Sequence, residues 1–271
     1  MQTFTTSDGV KLAYFIDDYT DPWKPANTLL MLHPAMASSR RFYSLVPGLA
    51  RHYRVIRLDT RGHGQSQVPG ANTVMNKERV MLDVVEALDH LKLDKVHLFA
   101  ASAGGYAAQQ LAIHRPERLK SLMIYCSTPG FKGEQGKKWL KAAAERGMRP
   151  VFGETINDRL PVGQCDQRLI DWVLDEICKN DLDWLARYIG YWTDTDFMDE
   201  ISAIKCPTLI VAPGDEPIGA VSLYGEMKQR IKDSEVIIYE GARHNIYDYL
   251  PDRCVNDALA FLKKRFPGDF A

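Results

Sequence analysis

The sequence predicts an α/β fold built on a doubly wound, mostly parallel sheet, and three observations support this prediction. Short apolar, β-branched runs alternate with segments of helical periodicity along most of the 271 residues, as is typical of βαβ units. Most of these runs are continuously apolar, which indicates strands covered by helices on both faces. One long interval, residues 129–204, contains helical patterns only. This interval predicts a helical layer inserted into the sheet topology.

Eight strands are expected in chain order. The N-terminal segment QTFTTSDGVKLAYFI predicts a hairpin that turns at Asp8-Gly9. Six further strands are predicted at TLLMLHP (28–34), YRVIRLD (53–59), KVHLFAA (95–101), LKSLMIYC (119–126), PTLIVAP (207–213) and SEVIIYE (234–240). Together with the hairpin they make a sheet of eight strands.

Three helices are predicted between or after these strands. The segment NKERVMLDVVEALDHL places its apolar residues on one stripe. The segment GGYAAQQLAIHRP ends its helix before Pro116. The last helix, PDRCVNDALAFLKKRF, has Pro251 at its start and basic residues near its end, where the helix dipole favours them.

The interval at 129–204 is expected to form a helical cap. Its helical patterns are KKWLKAAAERGM, QRLIDWVLDEICKN and LDWLARYIGYW, and it holds four of the 5 tryptophans. We expect the cap to cover the carboxyl edge of the sheet, where ligands bind in open α/β folds. The core would then consist of residues 1–128 and 205–271 on either side of the cap.

Composition excludes several classes of function. The formal net charge of −1 provides no basic field for nucleic acid or an anionic membrane. No apolar run approaches the roughly 18 residues that span a bilayer, and the N-terminus MQTFTTSDGV lacks the features of a secretory signal. An odd number of scattered cysteines argues against a disulfide framework or a zinc site and favours reduced thiols in the cytoplasm. They are Cys126, Cys165, Cys178, Cys206 and Cys254.

The segment HLFAASAGGYAA (97–108) carries the clearest chemical signal. Its apolar strand stops at Ser102, with Ala100 two residues before and Gly104 two residues after the serine. A strand, a serine between small residues and a helix together form a nucleophile elbow, in which a tight turn lifts the hydroxyl clear of the sheet. The amides of the following helix would favour an oxyanion nearby. Ser102 is therefore the candidate nucleophile.

Three further segments extend this signal. LHPAM follows the strand at 28–32, DTRGHGQS (59–66) follows the next strand, and YEGARHNIYDYLPD lies between the last strand and the last helix. With these segments the chain resembles the α/β-hydrolase fold family over essentially its whole length. RVIRLDTRGHGQS and HRPERLKSLMI are most similar to the 3-oxoadipate enol-lactonase and carboxylesterase branch. The resemblance implies a mostly parallel eight-stranded sheet flanked by helices, with an inserted helical cap.

The resemblance also implies the partners of Ser102. His244, in the loop after the last strand, corresponds to the general base. The acid is expected after the strand at 207–213, where Glu216 is favoured because it precedes a proline, and Asp215 is the alternative. Two backbone amides, those of Ala35 and Ala103, are expected to form the oxyanion hole. Pro34 replaces the glycine that is common in the family. Of the other histidines, His33 and His63 are expected to be structural.

The expected reaction is hydrolysis of a carboxylic ester or lactone through an acyl-enzyme, without cofactor or metal ion. The cap aromatics Trp139, Trp184, Tyr188 and Trp192 predict an apolar or aromatic substrate. Arg40 and Arg41 lie near the oxyanion loop, but solvent exposure is favoured for them over a role in binding. The alternatives are a cofactor-free C–C hydrolase or dioxygenase acting on an aromatic keto or enol compound, and a ligand receptor. The sequence specifies no oligomeric state.

Overall fold

One eight-stranded sheet organises the fold in the computed structural model, which describes residues 1–130 and 133–270. The strand order is β1-β2-β4-β3-β5-β6-β7-β8. β2 runs antiparallel to β1 and β4, and the remaining neighbours are parallel. The strands are β1 Gln2–Thr5, β2 Lys11–Asp17, β3 Thr28–Leu32, β4 Arg54–Leu58, β5 Val96–Ala101, β6 Leu119–Tyr125, β7 Thr208–Pro213 and β8 Ser234–Tyr239. All eight predicted strands are therefore confirmed.

Within the described ranges, helices cover both faces of the sheet and form the cap. They are α1 Val46–Ala50, α2 Lys77–His90, α3 Gly104–His114, α4 Gln135–Arg146, α5 Met148–Glu154, α6 Gln167–Cys178, α7 Leu182–Thr193, α8 Val221–Arg230, α9 Ile246–Tyr249 and α10 Pro251–Arg265. The sequence patterns did not single out α5 or α8. Their glycines, with a proline in α5, lower helix propensity, so tertiary packing rather than a local signal defines them.

The core lies on both faces of the sheet, which explains the continuously apolar strands. Leu30 and Leu98 pack on the face that carries α2 and α3, and their neighbours Leu29 and Phe99 pack on the face that carries α1 and α10. Alternate side chains of a strand point to opposite faces. Every residue of β3, β5 and β7 is buried. These three parallel strands therefore have no solvated face.

Four α-helices, α4 to α7, lie between β6 and β7, within the predicted cap at 129–204. The ends of this segment meet, because Gly130 and Asp196 form an antiparallel bridge and Phe197 N–H donates to the Pro129 carbonyl at 3.2 Å. Gly130 has a φ of 104°, and a Cβ there would lie 2.0 Å from the Thr195 carbonyl oxygen. The close approach of the two ends of the cap segment therefore requires glycine at position 130.

Two composition-based expectations concern the whole chain. All five cysteines are free, as their scattered positions predict. In residues 1–130 and 133–270, no helix has the length and apolar character needed to cross a membrane.

Candidate active site

Ser102 sits on a strained turn between β5 and α3. Its φ of 47° places a non-glycine residue in the left-handed region, which is costly unless the surroundings fix it. Two backbone hydrogen bonds do so: Ser102 N–H donates to the Tyr125 carbonyl and Gly105 N–H donates to the Ser102 carbonyl, both at 2.8 Å. The turn presents the serine at the carboxyl edge of the sheet, partly exposed to a cavity.

Gly104 is required by the closeness of β3 to this turn. A Cβ at Gly104 would lie 2.4 Å from the Leu32 carbonyl oxygen and 2.7 Å from that of His33. We expect Gly104→Ala to lower the free energy of unfolding by roughly 2–4 kcal/mol, because backbone must move to admit the methyl group. Urea denaturation followed by circular dichroism measures this change.

Gly225 provides the matched control for that substitution. It lies exposed in the middle of α8, and a Cβ there would meet no atom within 4 Å. Gly225→Ala should raise the free energy of unfolding by about 0.5–1 kcal/mol, since glycine is a poor helix former. Equal effects of the two substitutions would contradict the crowding at Gly104.

Ser102, His244 and Glu216 form one chain of hydrogen bonds. His244 Nε2 lies 2.9 Å from Ser102 Oγ, and His244 Nδ1 lies 2.7 Å from Glu216 Oε2. Glu216 follows β7, and His244 follows β8, so both reach the same edge of the sheet as the serine. His244 and Glu216 are buried. The arrangement is that of a nucleophile, a base and a carboxylate that orients the base.

The geometry distinguishes the two candidate acids. Asp215 has a side chain that is 55% exposed and lies 3.2 Å from Arg243, whereas the Glu216 side chain has no exposed surface. Glu216 Oε1 accepts hydrogen bonds from the N–H groups of Ile218 at 2.9 Å and Gly219 at 3.2 Å. Glu216, the favoured residue, is therefore the one that contacts His244.

Glu216 is held in its ionised form. Burial alone would raise its pKa, but the charge and hydrogen bond of His244 and the N–H donors of Ile218 and Gly219 outweigh burial. The pKa of Glu216 consequently lies below its ordinary value. An ionised carboxylate accepts the Nδ1 proton of the imidazole, which leaves Nε2 free to accept a proton from the serine.

The amides predicted for the oxyanion hole face the same site. Ala35 and Ala103 line the cavity beside Ser102, and no hydrogen bond among the described residues uses either N–H group. The His33 ring, through Nδ1, donates to the Pro34 carbonyl at 2.7 Å. Because the carbonyl and the N–H of a trans peptide point in opposite directions, this bond turns the Ala35 N–H away from His33.

His33 and His63 are buried and neutral. Thr60 N–H donates to His33 Nε2 at 3.0 Å, so the ring proton resides on Nδ1. Burial lowers the pKa of His33 to about 4 and that of His63 to about 3, in each case against the opposing effect of a backbone hydrogen bond. Both histidines therefore support the loops around the site, as the sequence indicated, without carrying charge at neutral pH.

These two histidines predict a loss of stability in mild acid. Their pKa values in the folded state lie below the ordinary value of 6.5, so the unfolded chain binds more protons below about pH 6.5. Stability should fall as the pH drops from about 6.5 towards 4, by about 2 kcal/mol for each histidine between about pH 7.5 and pH 5. Urea unfolding at the two pH values measures this difference.

Substitution of His63 separates its contribution to the pH dependence of stability from that of His33. His63→Asn should reduce the pH-dependent loss by about 2 kcal/mol, whereas His114→Asn should leave it unchanged because that side chain is 46% exposed. The same pH dependence in His63→Asn and in the unsubstituted protein would contradict the assignment.

A mostly apolar cavity of about 80 Å³ lies beside the serine. Three of the four predicted cap aromatics, Trp139, Tyr188 and Trp192, line it. Trp184 is not among the described residues that line the cavity. Its indole packs against the loop at Gly62, where a Cβ would lie 2.0 Å from Nε1. The prediction for Trp184 is corrected accordingly: it shares a face of α7 with Tyr188 but lies one turn earlier, where the helix packs against the loop at Gly62.

The two arginines near the oxyanion loop differ. Arg40 has a side chain that is 60% exposed and lies 3.2 Å from Glu176, which fits the expectation of solvent exposure. Arg41 is buried, lines the cavity and pairs through two nitrogens with Asp248. The expectation for Arg41 was wrong, since its partner lies 207 residues away and leaves no local signal.

The sequence patterns missed another cationic residue of the cavity, Arg159. It follows a short 3-10 helix at Ile156–Asp158 in the cap and lines the cavity with Ser102. Its backbone carbonyl accepts from Asn245 N–H at 2.9 Å, and the Asp158 carbonyl accepts from His244 N–H at 3.3 Å. The cap is thus hydrogen-bonded directly to the loop that carries the imidazole. No motif surrounds Arg159 that could have identified it.

The strand order and the serine on the turn after β5 define a protein of the α/β-hydrolase fold. Residues 27–149 match the family model described as alpha/beta hydrolase fold. The fold class predicted from the sequence, an α/β-hydrolase fold with a mostly parallel eight-stranded sheet, is therefore confirmed.

Relatives of known type include esterases and lactonases. The chain is 26% identical to 3-oxoadipate enol-lactonase 1 of Acinetobacter baylyi, over 80% of this chain and 82% of that protein. It is also 26% identical to the pimeloyl-[acyl-carrier protein] methyl ester esterase of Aeromonas hydrophila, over 80% of this chain and 87% of that protein. The crystal structure of the enol-lactonase from Burkholderia xenovorans superposes with a TM-score of 0.89 at 20% identity and covers 97% of this chain and 100% of that one. These likenesses support hydrolase activity.

Proposed function

We propose that this protein is a serine hydrolase that cleaves a small carboxylic ester or lactone through an acyl-enzyme. The observation that carries the proposal is the hydrogen-bonded chain from Ser102 through His244 to Glu216, whose serine end lines a mostly apolar cavity. The names of two relatives, an enol-lactonase and a methyl ester esterase, support the same bond type.

In the first half of the reaction, Ser102 Oγ attacks the carbonyl carbon while His244 Nε2 takes the hydroxyl proton. The amides of Ala35 and Ala103 donate hydrogen bonds to the oxyanion that forms, each worth about 3 kcal/mol of the barrier. His244 then gives its proton to the leaving alkoxide oxygen. For a lactone, that alcohol stays attached to the acyl group.

In the second half, a water molecule attacks the acyl-serine ester. His244 takes a proton from this water and returns it to Ser102 Oγ as the carboxylic acid leaves. Glu216 stays ionised throughout and stabilises the imidazolium at Nδ1. The steps use only side chains of this protein, two backbone amides and water.

The proposed cap at 129–204 selects the substrate. Trp139, Tyr188 and Trp192 contribute aromatic surface to the cavity that Ser102 and His244 also line. A cavity of about 80 Å³ has room for several water molecules, at roughly 10–15 Å³ each on this measure. The substrate proposed from these dimensions is a small ester or lactone with an apolar section.

An acyl-enzyme is the intermediate that tests this proposal. Mixing the protein with p-nitrophenyl esters from acetate to octanoate should release a rapid burst of p-nitrophenol equal to the enzyme concentration. Acid quenching followed by peptide mass spectrometry should locate the acyl group on Ser102. Absence of both the burst and the adduct in the folded protein would overturn the proposal. Oxygen consumption with an aromatic enol would then support the cofactor-free alternative.

A further inference from the structure

A buried ion pair joins two loops of the candidate active site. Arg41 Nε donates to Asp248 Oδ1 at 2.9 Å, and Arg41 Nη2 contacts the other carboxylate oxygen. The two side chains are 2% and 0% exposed. Arg41 lies in a 3-10 helix at Ser39–Phe42, and Asp248 lies in α9. The guanidinium therefore links two elements that are far apart in the sequence.

Stability alone does not account for this pair. Removing two charges from water is costly, and an apolar pair of similar volume is often equally stable in a protein interior. Arg41 also lines the cavity together with Ala35 and His244. The location of the pair among the groups assigned to the reaction is therefore the feature that requires an explanation.

Each end of the pair holds a group that the proposed hydrolysis requires. The 3-10 helix follows the loop of Ala35, whose N–H is one of the two proposed oxyanion donors. α9 begins two residues after His244. Within the described residues, no other hydrogen bond joins residues 33–42 to residues 243–250. The two loops are therefore linked directly to each other through this pair.

We infer that Arg41 and Asp248 form a positioning pair, which places the Ala35 N–H and the His244 imidazole around one substrate carbonyl group. This inference rests on the proposed hydrolysis and deepens it. Two parallel hydrogen bonds between a planar guanidinium and a carboxylate fix both the distance and the orientation of the elements that carry them. A displacement of about 1 Å in such a site costs about 10²-fold in rate. The pair acts through the two loops, and neither side chain exchanges a proton in the reaction.

Asp248→Asn is the first variant that tests this role. Asparagine keeps the size of the side chain but replaces one charged acceptor oxygen with an amide group. In the folded variant, kcat for p-nitrophenyl acetate should fall by about 10–100-fold, and KM should change by less than about threefold. Steady-state hydrolysis measures both constants, and circular dichroism checks the fold. An unchanged kcat in folded Asp248→Asn would overturn the inference.

A boronic acid measures the same alignment without turnover. Butylboronic acid adds reversibly to a serine hydroxyl, and the tetrahedral adduct resembles the oxyanion of the transition state. Its inhibition constant should rise in Asp248→Asn by the factor by which kcat/KM falls, because both depend on the Ala35 amide and His244. An inhibition constant equal to that of the wild type would assign the pair to stability only and contradict the inference.

Two further variants separate positioning from stability. Arg41→Met combined with Asp248→Leu removes both charges but keeps the volume apolar, so it should unfold at no lower urea concentration than Asp248→Asn. Its kcat should stay low, and a wild-type kcat would show that packing suffices. Arg41→Lys keeps the charge but cannot donate two parallel hydrogen bonds. Its kcat should fall by about 10-fold, so a wild-type kcat in this variant contradicts the inference even if Asp248→Asn does not fold.

Asp83→Asn provides the matched control. Asp83 accepts hydrogen bonds from Arg61 through both carboxylate oxygens, each at 2.6 Å, and both residues are buried. Neither is among the described residues that line the cavity. Asp83→Asn should lower the urea midpoint but keep kcat within about threefold of the wild type. Equal losses of kcat in Asp83→Asn and Asp248→Asn contradict the inference. Failure of the proposed hydrolysis is distinct, because the unsubstituted protein would then neither turn over p-nitrophenyl acetate nor become acylated at Ser102.

Discussion

Ser102→Ala is expected to lower kcat for ester hydrolysis by about 10⁵–10⁶-fold. The substitution removes the hydroxyl oxygen that lies 2.9 Å from His244 Nε2, so no acyl-enzyme forms. The residual rate would come from substrate binding and the oxyanion donors acting on water. Steady-state hydrolysis of p-nitrophenyl acetate at neutral pH measures the change, and the burst of p-nitrophenol should disappear with it.

Ser127→Ala is the appropriate control for Ser102→Ala. Ser127 lies just after β6, is buried, and its hydroxyl has no partner among the described residues. Removing this hydroxyl should leave kcat within about twofold, because it takes part in none of the proposed steps. If both alanine variants kept wild-type turnover, the hydrolysis would have to use a different nucleophile.

Glu216→Gln is expected to lower kcat by about 10³–10⁴-fold without disturbing the fold. An amide at this position no longer holds the Nδ1 proton of His244 in place or stabilises the imidazolium that forms during attack. The N–H groups of Ile218 and Gly219, which donate to Glu216 Oε1, can still bond the amide oxygen of glutamine. The loss should therefore be in kcat rather than in stability, as kinetics and urea unfolding would show together.

Asp215→Asn separates the two carboxylates that the sequence left as alternatives. Its side chain contacts Arg243 at the surface, so the substitution should change kcat by less than about threefold. A large loss in Asp215→Asn combined with full activity in Glu216→Gln would reverse the assignment of the acid.

Much of the fold was predictable because its signals are local. A strand that is buried on both faces has a continuously apolar sequence, as in β3 and β5. The turn at Ser102 requires the small residue Gly104. The choice between Asp215 and Glu216 was harder to predict from the sequence. Adjacent residues on a turn can point in opposite directions, and only the folded structure shows that Glu216 points towards His244.

The lining of the cavity was harder to predict because it depends on how far along each cap helix the cavity extends. Trp184 and Tyr188 are four residues apart and share a face of α7, yet of the two only Tyr188 lines the cavity. The environment of Arg41 depends on Asp248, which is remote in sequence, and the pairing of distant charges has no sequence period. The catalytic roles of the triad and the binding role of the aromatic residues remain predictions for the experiments above.

The pairing of Gly130 with Asp196 has a consequence for how this architecture can diversify. Because the cap leaves and rejoins the sheet at adjacent points, residues gained or lost between them do not alter the register of β6 and β7. Lengthening the segment between these two residues costs little closure entropy, about 0.6 kcal/mol for each doubling of its length. The part of the cavity wall that lies between Gly130 and Asp196 can therefore vary independently of the part that holds Ser102, His244 and Glu216.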